Sequence, residues 1–102
     1  MPIYQMARFQ VRPEAVERAV EANREFVSYI LSHEPGTLVY MVHQQKGDET
    51  RFLNVMVFQD EAAREQHRGS KGARRFTEAL YPVLLAPVEL TEYTVVASTG
   101  TV

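Results

Sequence analysis

The amino-acid sequence predicts an α+β fold in which a four-stranded antiparallel sheet carries helices on one face. Three observations lead there. Hydrophobic periodicity alternates along the chain in the order β-α-β-β-α(α)-β, two neighbouring strand-like runs are joined by a tight polar turn, and the one long amphipathic stretch ends in a Pro-Gly stop. At 102 residues the chain has the size of one domain, so 1–102 is read as a single unit.

Residues 3–11 form the first predicted strand, with Ile3, Ala7, Phe9 and Val11 on one side and Tyr4, Met6, Arg8 and Gln10 on the other. Pro13 suits the first turn of a helix, where its missing N–H costs nothing. From Glu14 to about Ser32, Val16, Ala19, Val20, Phe26, Val27, Ile30 and Leu31 recur at helical spacing, and Glu34-Pro35-Gly36-Thr37 ends the helix. Strands follow over residues 38–45 and 51–59, joined by Lys46-Gly47-Asp48-Glu49 as a hairpin turn. Asp60 is placed to cap a short helix over residues 61–68. Gly69 breaks it and Ser70 caps a second, whose inward stripe is Ala73, Phe76, Leu80 and Leu84. Pro82 kinks or ends that helix, and a last strand covers residues 88–97. This order is the split β-α-β pattern of ferredoxin-like folds.

Composition narrows the function classes. The chain is 45% apolar and 24% charged, with 13 acidic and 11 basic side chains and a net charge of −2, which gives no general attraction for nucleic acid or an anionic membrane. It has no cysteine, so disulfides, thiolate catalysis and thiolate metal sites are excluded. No apolar run approaches the roughly 18 residues of a membrane span, and the N-terminus lacks a secretion signal, so a cytoplasmic location is expected.

The hairpin is apolar on both faces. Leu38, Tyr40 and Val42 oppose Val39, Met41 and His43, and Leu53, Val55 and Val57 oppose Phe52, Met56 and Phe58. Helices cover one face only. At about 25 cal/mol per Å² of apolar surface, leaving the other wet forfeits several kcal/mol, so a homodimer packed sheet to sheet is expected.

The runs Glu34-Pro35-Gly36-Thr37-Leu38-Val39-Tyr40, Arg51-Phe52-Leu53 and Phe58-Gln59-Asp60-Glu61-Ala62-Ala63-Arg64-Glu65-Gln66-His67, with Phe76 through Leu85, Pro87 and Glu92-Tyr93-Thr94-Val95, resemble the antibiotic biosynthesis monooxygenase (ABM) domain family. The resemblance spans nearly the whole chain and implies a dimeric α+β barrel. It also implies oxygenase chemistry on a quinol, an anthrone or a related planar aromatic, using O₂ and no cofactor. Related proteins that degrade haem bind its iron through a His on the helix after the short one. The matching stretch Arg74-Arg75-Phe76-Thr77-Glu78 has none, which points away from haem.

Asn54 is the residue hardest to explain structurally, since a mid-strand amide in an apolar run must find partners; the alternative to a functional role is an amide satisfied by the backbone or by the dimer partner. Phe58, four residues on, shares its strand face. The resemblance assigns Asn54 to the Asn that binds a substrate oxygen in anthrone-oxidising relatives and sets Phe58 where they carry Trp. His67 on the short helix is a candidate general base for a phenolic proton, the alternative being a solvated helix residue. A second His that relatives carry nearby is replaced here by Gly72 and Ala73. Phe76, Tyr40 and Tyr81 are candidate lining residues, each also explicable as core. Arg75 is a candidate to steady a phenolate at the mouth, although the cluster Arg64, Arg68, Lys71, Arg74 and Arg75 reads first as a solvated helix face. His33 and His43 have no metal-ligand spacing, and no metal is assigned.

Two other functions fit the residues. One is a non-catalytic protein of the same fold that holds a small hydrophobic molecule. The other, less favoured, is an RNA-binding module of the KH type, suggested by Gly69-Ser70-Lys71-Gly72 between two helices.

Overall fold

A computed structural model describes residues 1–100 of the chain. Strand β1 (Ile3–Gln10) leads through a 3₁₀ turn at Pro13–Ala15 into helix α1 (Val16–His33). Strands β2 (Thr37–Gln44) and β3 (Arg51–Phe58) form the hairpin, and helices α2 (Glu61–Arg68) and α3 (Lys71–Leu80) follow. A second 3₁₀ turn at Tyr81–Val83 precedes strand β4 (Glu89–Tyr93). The sheet is antiparallel in the order β2-β3-β1-β4, as the ferredoxin-like reading requires. Among the described residues no helix is long and apolar enough to cross a membrane.

The boundaries follow local chemistry. The Asp60 and Ser70 side chains accept from the backbone N–H groups of Ala63 and Ala73 at 2.9 and 3.0 Å, capping α2 and α3. Gly47 in the hairpin turn takes φ +87°, a conformation that favours glycine. Pro82 sits in the 3₁₀ turn that ends α3, so Leu84 leaves the helical line and bridges Val11.

Two expectations need correction. The last strand ends at Tyr93, not Ala97. Tyr93 pairs with Tyr4, so two positions later the ladder meets Pro2, which has no N–H to donate, and the edge has no further partner. Leu38 does not join Tyr40 and Val42 on the inner face: the register slips between Thr37 and Val39, and Leu38 is exposed.

Register makes the two sheet faces explicit. Toward the helices run the rows Tyr40-Met56-Gln5-Glu92 and Val42-Asn54-Ala7-Leu90. Away from them run Val39-Val57-Tyr4-Tyr93, Met41-Val55-Met6-Thr91 and His43-Leu53-Arg8-Glu89. The inner face holds two buried clusters. Phe9, Val11, Ala19, Phe52 and Leu80 form one, and Ala7, Met56, Phe58 and Ala63 the other. Between them lies the site.

Candidate functional site

Close backbone contacts bring α2 onto the end of α1. A Cβ on Gly36 would lie 2.6 Å from the Cβ of Ala63, so only glycine lets the turn after α1 approach α2 this closely. His67 stands one helical turn beyond Ala63 on the same face, and the approach sets it beside Glu34. Its Nδ1 lies 2.8 Å from Glu34 Oε1, which also accepts from the Thr37 hydroxyl at 2.8 Å. Glu34 is 4% exposed, and its Oε2 has no partner. The imidazole is boxed by aromatic rings: Phe26 stacks on it at 5.1 Å, with Phe58 at 5.1 Å and Tyr40 at 5.5 Å. Its orientation is therefore held by a carboxylate at one edge and by rings on its faces.

A second polar group comes from the centre of the sheet. Asn54, 1% exposed, donates through Nδ2 to Asn23 Oδ1 at 2.9 Å and to the Tyr40 hydroxyl oxygen at 3.1 Å. Asn23 in turn donates to the Ala19 carbonyl at 2.8 Å. The Asn54 Oδ1 is buried with no partner. Burial is the main reason that the Tyr40 hydroxyl is pushed up to about 12. Glu34 adds to this effect and the hydrogen bond from Asn54 opposes it. Tyr40 is thus a neutral phenol at physiological pH and keeps its proton to donate.

Both groups border one cavity of about 200 Å³ between the sheet and the helices, lined by Tyr40, Asn54, Phe58, His67, Phe76 and Tyr81 together with apolar wall from Ala7, Phe9 and Met56. Six of the seven residues singled out from the sequence meet there. Arg75 does not line it. Its guanidinium lies over the Tyr29 ring at 5.7 Å, beside a separate shallow cleft between α1 and α3. His33 and His43 lie elsewhere, their Nδ1 atoms at 3.0 Å from the carbonyls of Tyr29 and Leu53. A larger cleft of about 460 Å³ opens near Arg8, His43 and Arg51, away from these groups. Its two arginines are already engaged, Arg8 with the Tyr93 hydroxyl and Arg51 with Asp48.

Three participants escaped the sequence reading. Glu34 reads there as part of a helix stop and Asn23 as helix interior. Arg64 reads as solvated surface, yet its guanidinium donates to Gln5 at 3.2 Å and Glu92 at 2.7 Å, tying α2 to the sheet at the cavity rim. Two signals were present. An acid at a helix C-terminus opposes the helix dipole, and Asn23 interrupts the stripe Ala19, Phe26, Ile30. The Gly69-Ser70-Lys71-Gly72 motif has a packing role: a Cβ on Gly72 would meet the Tyr29 ring at 2.3 Å, so glycine is needed for α3 to sit on α1.

The sequence profile described as "Antibiotic biosynthesis monooxygenase" matches residues 2–79. Among solved structures, a Bacteroides thetaiotaomicron protein that carries the same family name provisionally superposes with a TM-score of 0.90 at 20% identity, covering 99% of this chain and 95% of that one. The Rv0793 protein of Mycobacterium tuberculosis gives 0.86 at 20% identity, with 98% and 100% covered, and PA3566 of Pseudomonas aeruginosa 0.83 at 25%, with 94% and 95% covered. No curated protein matches the chain.

Proposed function

The chain belongs to the antibiotic biosynthesis monooxygenase family, and from that premise we propose that its cavity oxidises a small hydroxylated aromatic (a quinol, an anthrone or a related planar ring) with O₂ and without a bound cofactor. The observation that carries this reading is the pairing of His67 with the buried Glu34 carboxylate against a largely apolar cavity. With Nδ1 at the carboxylate, Nε2 is the nitrogen left to take a phenolic proton. General bases of this kind contribute about 10²- to 10⁴-fold. The phenolate so formed is electron-rich enough to pass one electron to O₂, and recombination places one oxygen atom on the ring. For a quinol, C₆H₆O₂ + O₂ gives the hydroxyquinone C₆H₄O₃ + H₂O, the substrate itself supplying the electrons. Phe58 and Phe76 wall the ring from water, and Asn54 with Tyr40 holds its oxygen.

The same reading includes a homodimer. The outward rows Val39-Val57-Tyr4-Tyr93 and Met41-Val55-Met6-Thr91 are almost wholly apolar, and Met41 is 53% exposed. Sedimentation should give twice the chain mass, and Met41→Lys should shift it toward the monomer; a wild-type monomer at micromolar concentration refutes this part. Oxygen uptake on mixing the protein with 1,4-dihydroxynaphthalene tests the activity. Uptake above the protein-free rate that falls in His67→Ala supports it. Binding without uptake indicates a sequestering protein instead.

A further inference from the structure

The hydrogen-bond chain behind Asn54 has a fixed direction. It starts at the Ala19 backbone carbonyl, which can only accept, so Asn23 must present its NH₂ there at 2.8 Å. The Asn23 oxygen then faces Asn54, which must present its own NH₂ at 2.9 Å, the same NH₂ that reaches the Tyr40 oxygen at 3.1 Å. Neither amide can flip without setting like groups against each other. Both donor hydrogens of Asn54 are therefore spent inside the protein. What remains of Asn54, a residue that lines the cavity, is an acceptor, Oδ1, buried and unpaired.

From this we infer that the site reads the oxidation state of its ligand: it takes the hydroxyl form of an aromatic and rejects the carbonyl form. The inference rests on the reading of the cavity as a phenol site, and in it Asn54 binds the substrate oxygen by accepting its hydrogen bond. A ring hydroxyl satisfies the station twice, donating to Asn54 Oδ1 and accepting the free Tyr40 proton. A quinone carbonyl takes the Tyr40 proton but leaves Oδ1 buried and opposed to another oxygen. A site built around a substrate hydroxyl discriminates strongly against the analogue that lacks it. Size narrows the ligand further. An apolar cavity of about 150 Å³ accepts one benzene ring, so the roughly 200 Å³ here fits one ring with substituents or two fused rings. The ligand is thus a mono- or bicyclic dihydroxyarene. One hydroxyl stays protonated at Asn54 while the other loses its proton to His67, and the oxidised product is expelled.

Anaerobic titration calorimetry tests this without turnover. Wild-type protein should bind 1,4-dihydroxynaphthalene at least about tenfold more tightly than 1,4-naphthoquinone or 1,4-dimethoxynaphthalene. In Asn54→Val the preference for the diol over the dimethyl ether should shrink to about twofold. Quinone binding as tight as diol binding, or no diol binding at all, overturns the inference; because the comparison among the three probes uses wild-type protein, it stands even if the variant does not fold. The outcomes separate from those of the proposed activity. Preferential diol binding without oxygen uptake sustains the inference and sinks the oxygenase reading. Oxygen uptake with equal binding of diol and quinone does the reverse.

Discussion

Replacing Asn23 by Ala removes the anchor of the buried amide chain and leaves the helix otherwise intact. Asn23 is 2% exposed and makes two hydrogen bonds, at 2.8 Å to Ala19 and 2.9 Å from Asn54. Their net loss costs roughly 1 kcal/mol each, and the Asn54 N–H left without Asn23 raises the total toward about 3 kcal/mol. Alanine's better helix propensity returns about 0.5 kcal/mol. The balance is a loss of about 2.5 kcal/mol, which for a domain of this size lowers Tm by about 10–20 °C. In urea, with m of about 1–3 kcal/mol/M, the midpoint should fall by roughly 1 M at unchanged slope. Wild type and variant must be compared at one protein concentration, because a dimer's stability depends on it. The freed Asn54 amide should also lose its preference for hydroxyl over carbonyl ligands. A stability change within about 0.5 kcal/mol, the range of ordinary surface substitutions, would refute the claim that this chain is a coupled, buried network.

Glu34→Ala should lower kcat by about 10- to 100-fold with a smaller change in KM, because the carboxylate orients the imidazole and does not touch the substrate; ¹⁵N shifts should show a proton on His67 Nδ1 in the wild type, and a ring protonated on Nε2 alone would contradict the pairing. Gly72→Ala sets a gain of about 1 kcal/mol in helix propensity against roughly 1–3 kcal/mol of overpacking on Tyr29, so a net loss of about 1 kcal/mol is expected in urea titration, and stabilisation would show that α3 rides further from α1 than described. Tyr40 ionises at 10.0 in an unfolded chain, and burial pushes it up to about 12 when folded. Below pH 10 both states are protonated and nothing is lost; above it the unfolded state releases its proton first, so stability should fall by up to about 2 kcal/mol as pH rises to 12. Tyr40→Phe should flatten that decline, and identical slopes would be inconsistent with a buried phenol.

The architecture was legible because local chemistry and tertiary packing agree at most positions. Asp60 and Ser70 cap the helices their positions suggest, and the Pro-Gly stop ends α1 where β2 must begin. The two-faced apolar hairpin stood out because alternation alone reveals it. What stayed hidden depends on contacts far apart in sequence. Glu34 and His67 are 33 residues apart, and only the close approach at Gly36 brings them within 2.8 Å. Asn54 was noticed as an anomaly, but the direction of its hydrogen bonds depends on Asn23, 31 residues away, and on a helix carbonyl with no side-chain signature. Arg75 stood out from the basic cluster as a candidate for the cavity mouth, but packing against Tyr29 turns it away from the cavity, a contact that its place in the basic run does not reveal. The length of β4 was limited by its partner, since Pro2 stops the ladder that the Val95-Val96 pattern would otherwise extend.

A crystal structure of the protein grown without oxygen in the presence of 1,4-dihydroxynaphthalene tests the account most directly. The bicyclic ring should lie among Phe26, Phe58 and Phe76, with one hydroxyl within about 3 Å of Asn54 Oδ1 and the other oxygen facing His67 Nε2. A ring seated instead in the cleft beside Arg8, His43 and Arg51, or one that turns no hydroxyl to Asn54, would contradict it.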